Sequence, residues 1–166
     1  MARKATRSKA RRPASPARSA ANRPSPTGSP RERIIEAFML LLAEQPIERI
    51  GLAEIAERSG VTLADLRGEF GSTLAVVAAH VKELDRKVLA AVDPEMEEES
   101  PRERLFDVLM RRLEALAPYK QAVRSVLRSA RRNPGLAFAL NAMAVRSQRW
   151  MLEAAGIGAS GPRGAL

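Results

Sequence analysis

From Ile34 onward, apolar residues recur along the chain at intervals of three and four, the period of helices that each bury one side. Ile34, Ile35, Phe38, Leu41 and Leu42 form the first stripe. Ser29-Pro30-Arg31-Glu32 opens it: Ser29 can cap, Pro30 suits the first helical position, and Glu32 completes a capping box. The helix runs to about Gln45, and Pro46 stops it. No segment alternates with period two, so the pattern predicts an all-α protein of about seven helices.

The stretch LAEIAERSGVTLADLRGEFGST, residues 52–73, reads as two short helices joined by a tight turn. Ile55 and Ala56 face inward on the first, and Leu66 and Phe70 anchor the second. A small residue at Ala56, then Gly60, then the apolar plug Val61 is the spacing of a helix-turn-helix. The small side chain lets the helices approach, and glycine accepts positive φ without steric cost. An ordinary αα-hairpin has the same pattern. Thr62 can cap the second helix, with Asp65 in the capping-box position, and Gly71 ends it.

Ser72 then caps a long helix, about 73–92, whose stripe is Leu74, Val77, Val81, Leu84, Val88 and Val92. His80 lies one step off that stripe and is expected to be a partly exposed structural residue. An acidic linker, DPEMEEES at 93–100, leads to Ser100-Pro101-Arg102-Glu103, which repeats the capping pattern of residues 29–32. The next helix, to Leu116, is expected to bury Leu105, Phe106, Leu109 and Leu113. Pro118 opens another, to about Arg132, with Val123, Val126 and Leu127 inside. Asn133-Pro134 caps a last helix to Ala155, with Leu136, Leu140, Met143, Ser147, Trp150 and Ala154 as its stripe. Phe138, Val145, Met151 and Leu152 lie off that stripe, so this helix expects partners on two sides. Residues 156–166 read as coil.

Charge changes the picture at one end only. The net charge is +9, but residues 1–30 carry eight cations and no acid, which leaves the remainder at +1. Residues 1–28 are rich in Ala, Arg, Ser and Pro and read as a disordered basic tail, able to lie along phosphates or serving only to solubilise the chain. Arg and Ser without acids also fit a transit peptide, against which the prolines and the lack of an apolar helical face weigh. The chain has no cysteine and one histidine, which argues against disulfides, thiolate sites and a histidine-based metal site or triad. No paired carboxylates, nucleophile or phosphate loop stand out, so an enzyme is not expected, nor a cofactor or metal. The lack of cysteine suits a reducing cytoplasm, and no apolar run approaches the roughly 20 residues that span a bilayer.

IIEAFMLLLAEQPIERIGLAEIAERSGVTLADLRGEFGSTLAVV resembles the N-terminal domain of TetR-type transcriptional regulators, with IAERSGV in the turn and FGS before the long helix. The resemblance implies a three-helix DNA-binding domain at 29–72. A long connecting helix would lead into a helical effector and dimerisation domain at 73–155, truncated here because family members continue through further helices. It implies a cytoplasmic bacterial repressor, a homodimer when full length, that binds double-stranded DNA and responds to a small apolar effector. Thr62, Leu63, Ala64, Arg67, Ser72 and Thr73 fall on the DNA-contacting positions. Phe106, Met110, Tyr119 and Trp150 are the candidates to line the effector site. The chain departs from the family where DNA would be touched: Leu63 follows the turn, Arg67-Gly68-Glu69 precedes Phe70, and Thr73 follows Gly71-Ser72. Asp65 and Glu69 would sit near phosphates, where carboxylates are repelled.

A second resemblance covers residues 105–166. LAPYKQAVRSVLRSARRNP, followed by SQRWMLEAAG, is similar to the C-terminal part of ubiquinone-biosynthesis accessory proteins, which have a TetR-like fold. That likeness implies isoprenoid-lipid binding without DNA contact.

Overall fold

The computed structural model describes residues 28–158 apart from 94, 95 and 97, so the expected tail lies outside the described residues except for Gly28. The described residues form seven α-helices and no strand: α1 (Pro30–Glu44), α2 (Leu52–Ser59), α3 (Leu63–Glu69), α4 (Thr73–Ala90), α5 (Pro101–Leu116), α6 (Lys120–Ala130) and α7 (Pro134–Ala154). Single 3₁₀ turns at Ile47–Arg49 and Ala117–Tyr119 lead into α2 and α6.

The helix starts follow from side-chain chemistry. Ser29 with Glu32, Thr62 with Asp65, and Ser100 with Glu103 all form reciprocal capping boxes, satisfying amides that have no partner within the helix. Each of these carboxyls is held below its ordinary pKa because it accepts hydrogen bonds from the capping residue. Ser72 and Asn133 cap α4 and α7, accepting from Ala75 N at 3.2 Å and Leu136 N at 3.0 Å.

Two cores lie along α4. The larger holds Ile34, Phe38, Leu41 and Leu42 of α1, Ile55 of α2, Leu66 of α3 and Val76 of α4, together with Ala122 and Val126 of α6. Ser125 Oγ of α6 donates to Gln45 O at 3.1 Å, and Ser129 Oγ donates to Glu48 at 2.8 Å, so small residues let α6 lie close on the end of α1. The smaller core joins Leu84 and Val88 of α4, Val108 of α5 and Met151 of α7.

Three expected helix faces are turned. On α5, Phe106, Leu109 and Leu113 are exposed, and Val108 is buried instead. The inner face of α5 is held by arginines: Arg104 Nε donates to Ala155 O at 2.9 Å, and Arg112 Nη1 donates to Asp85 Oδ1 at 2.5 Å. Those polar ties fix the rotation of the helix and leave its apolar stripe outside. On α6, Leu127 is exposed while Ala122, Ser125, Val126 and Ser129 face α1. On α7, Met151 is buried and Trp150 is 57% exposed, because the buried stripe passes from Ser147 to Met151. Phe138 and Val145 face solvent on the opposite side of α7.

His80, expected to be partly exposed, is 8% exposed. Its ring meets Tyr119 edge-on at 4.4 Å, and its buried Nε2 has no hydrogen-bond partner among the described residues. Burial, with a smaller contribution from the Lys87 charge, holds its pKa below the usual histidine value.

Candidate nucleic-acid interface

The turn between α2 and α3 is set by one residue. Gly60 adopts φ +66° and ψ 31°, the left-handed region, and its N–H closes the end of α2 on Ala56 O and Glu57 O. Val61 N then donates to Ala56 O at 3.1 Å, which turns the chain so that Val61 packs against the larger core. Ser59 is buried, and its hydroxyl donates to Ile55 O at 2.7 Å. Leu66 and Phe70, both buried, fix the inner face of α3.

That anchoring decides what α3 presents outward. Leu63, 54% exposed, Ala64 and Arg67 share its solvent face. Thr62 is also exposed, but its hydroxyl is committed: it accepts from Asp65 N at 3.1 Å and donates to Asp65 Oδ2 at 2.7 Å. Ser72 is exposed and caps α4; Thr73 is half-buried at the start of α4, beside Asn133 and Gly135. The six residues singled out in the sequence therefore fall into two groups, one on α3 and one at the start of α4.

The two carboxylates of α3 are both engaged. Asp65 accepts from the Thr62 backbone at 3.1 Å. Glu69 pairs with Arg31 at 3.5 Å, and the Arg31 guanidinium lies 4.7 Å from the Phe70 ring centre. Arg31 thereby ties the first turn of α1 to the end of α3, and its charge offsets Glu69. Arg67 reaches back over Gly71, so the one cation of α3 lies between α3 and the start of α4.

The residues expected to line an effector site are not gathered at one place. Phe106 and Met110 face solvent on α5, Tyr119 packs on His80, and Trp150 borders a groove between α4 and α7. Sequence reasoning missed that groove and also the polar junction beneath it. There Asp85 Oδ1 accepts from Arg112 Nη1 at 2.5 Å and from Ser147 Oγ at 2.6 Å, joining α4, α5 and α7. The available signal was an aspartate among the apolar positions of a long helix, facing arginines and serines whose position only the fold supplies. Among the described residues, no cluster of three or more His, Cys, Asp or Glu could hold a metal ion. No helix among them is long and apolar enough to cross a membrane.

No protein-family profile matches this sequence, and no curated protein matches it. Two solved structures do. One is a TetR transcriptional regulator from Nitrosomonas europaea, with a TM-score of 0.65 and 24% identity over 77% of this chain and 75% of that one. The other is a TetR transcriptional regulator from a Rhodococcus species, with a TM-score of 0.52 and 26% identity over 80% of this chain and 72% of that one. The fold is that of the TetR regulators, as the IAERSGV and FGS segments led the sequence to resemble.

Proposed function

We propose that the protein is a TetR-like transcriptional regulator that reads double-stranded DNA through α3, as a homodimer and in the cytoplasm. The observation that carries this reading is the outward face of α3: Leu63, Ala64 and Arg67 stand free of the core behind a Gly60 turn, with Asp65 and Glu69 held by Thr62 and Arg31. The likeness to two regulators of known structure supports it. Two copies of α3 would enter successive major grooves about 34–36 Å apart. Leu63 suits a thymine methyl, and Arg67 suits guanine edges or a phosphate. Backbone amides at the start of α4, next to Ser72 and Thr73, would hold a phosphate. Repression released by a small ligand fits a fold in which α4 joins the reading unit to α5 and α7.

The test is selection from a pool of randomised duplexes, using protein that lacks residues 1–27 so that the basic tail cannot supply the affinity. A specific sequence should be enriched, and Arg67→Ala should weaken binding to it by about fivefold or more, the worth of one base or phosphate contact (~1–3 kcal/mol). Absence of any enriched sequence refutes the reading.

A second reading, isoprenoid-lipid binding without DNA contact, is favoured by the apolar surface of Phe106, Leu113 and Phe138. In that case no duplex is enriched, and the purified protein carries extractable lipid.

A further inference from the structure

We propose that the groove between α4 and α7 binds an amphipathic anion, a single-chain carboxylate whose hydrocarbon lies along α4 and whose head meets Arg86 and Arg146. The groove has a volume of about 920 Å³, within the range of roughly 300–1,000 Å³ usual for small-molecule sites. Its depth comes from small residues: Ala75, Ala78 and Ala79 line it at the end nearer the reading unit. Val81, Leu89, Met143 and Trp150 make the rest of its apolar lining.

The charges around it are unequal. Arg31 is already engaged by Glu69, Glu83 and the Phe70 ring. Asp85 is engaged by Arg112 and Ser147. Lys82, Arg86 and Arg146 remain, all exposed and none in an ion pair among the described residues. Lys82 and Arg86 stand one turn apart on α4, with Arg146 on α7 as part of the same lining. Arg86 also acts at longer range on the Glu32 carboxylate, but an apolar trough with three cations outside any close ion pair complements a chain that ends in a negative group. A neutral chain would gain nothing from the cations, and a cationic chain would be repelled.

Binding here does not depend on the DNA-reading proposal. If that proposal holds, the site gains a consequence, because Arg31 and Phe70 belong to both the groove and the reading unit.

Trp150 is the one tryptophan of the chain and borders the groove, so its emission reports occupancy. Dodecanoate, dodecanol and dodecylamine should each be titrated into the full chain. Dodecanoate should give a saturable shift to shorter wavelength and bind roughly tenfold tighter than the other two, the worth of one charge-assisted contact. The double variant Arg86→Glu with Arg146→Glu should lose about that factor for dodecanoate while dodecanol binding stays unchanged. Both positions are exposed, so the variant should keep its helical circular dichroism. Ala78→Leu should reduce binding of all three by filling the groove. Equal affinity for dodecanoate and dodecanol, or dodecanoate binding indifferent to the double reversal, would mean partition onto the exposed faces of α5 and α7 and would overturn the proposal. A titration with no saturation would overturn it too.

Discussion

Asp85→Ala removes the acceptor on which three helices converge. The carboxylate takes one hydrogen bond from a neutral hydroxyl, Ser147 Oγ, and one from a cation, Arg112 Nη1. The neutral bond contributes about 1 kcal/mol net and the charged one about 1.5–3 kcal/mol. Breaking a fully buried pair from one side costs about 3–5 kcal/mol, because the remaining charge is stranded. The Arg112 side chain is 19% exposed and the Asp85 side chain 11%, so Arg112 can turn partly toward water and the lower end applies. The expected loss is therefore about 3 kcal/mol. At about 4 °C per kcal/mol for a domain of this size, Tm should fall by about 12 °C. Thermal melts followed by circular dichroism measure it, with a double-mutant cycle on Arg112→Ala to isolate the pair. The double variant should be less destabilised than the sum of the singles by about 1 kcal/mol or more. A loss below about 1 kcal/mol for Asp85→Ala, or strict additivity in the cycle, would show that the junction is a surface contact.

Three further outcomes are expected. Glu32, Asp65 and Glu103 have folded pKa values below their unfolded ones, so their capping contribution is complete above the unfolded carboxylate range and is lost as pH falls through the folded values. Urea midpoints should fall below about pH 4.5, and the fall should flatten in the Glu32→Gln, Asp65→Asn, Glu103→Gln triple variant; an equally steep fall there would put the acid sensitivity elsewhere. Gly60→Ala should cost about 1–2 kcal/mol from the left-handed backbone alone, since an added Cβ meets nothing within 4 Å, and an unchanged urea midpoint would contradict that origin. Phe106 and Phe138 are 65% and 77% exposed, so Phe106→Arg with Phe138→Arg should lower the apparent mass in concentration-dependent light scattering if those faces associate. A wild-type chain that is monomeric at every concentration would remove the premise.

The helix starts and the turn between α2 and α3 were legible because their determinants are local. Ser29, Thr62 and Ser100 each act on an amide three residues away, and Gly60 acts on its own backbone. The rotation of α5, α6 and α7 was not legible. On α5 the apolar positions Phe106, Leu109 and Leu113 form a better helical stripe than the residues that face inward, and the choice rests on Arg104 and Arg112 finding partners on α7 and α4. The same holds for Trp150, whose place on the stripe goes to Met151 in the second core. The groove needed both α4 and α7 in place, since Lys82 and Arg86 alone read as a solvated face.

The packing of α6 on α1 bears on the order in which the protein can mature as it is made. Ala122 and Val126 share a core with Ile34 and Phe38, although α1 to α3 end at Glu69 and α6 only at Ala130. At a synthesis rate of about 5–20 residues per second, roughly 3–12 s separate completion of α3 from completion of α6. Through that interval the nascent α1 to α3 segment has an uncovered apolar side on α1. Its nearest cover is its own later chain, and until that arrives the same surface is open to chaperones.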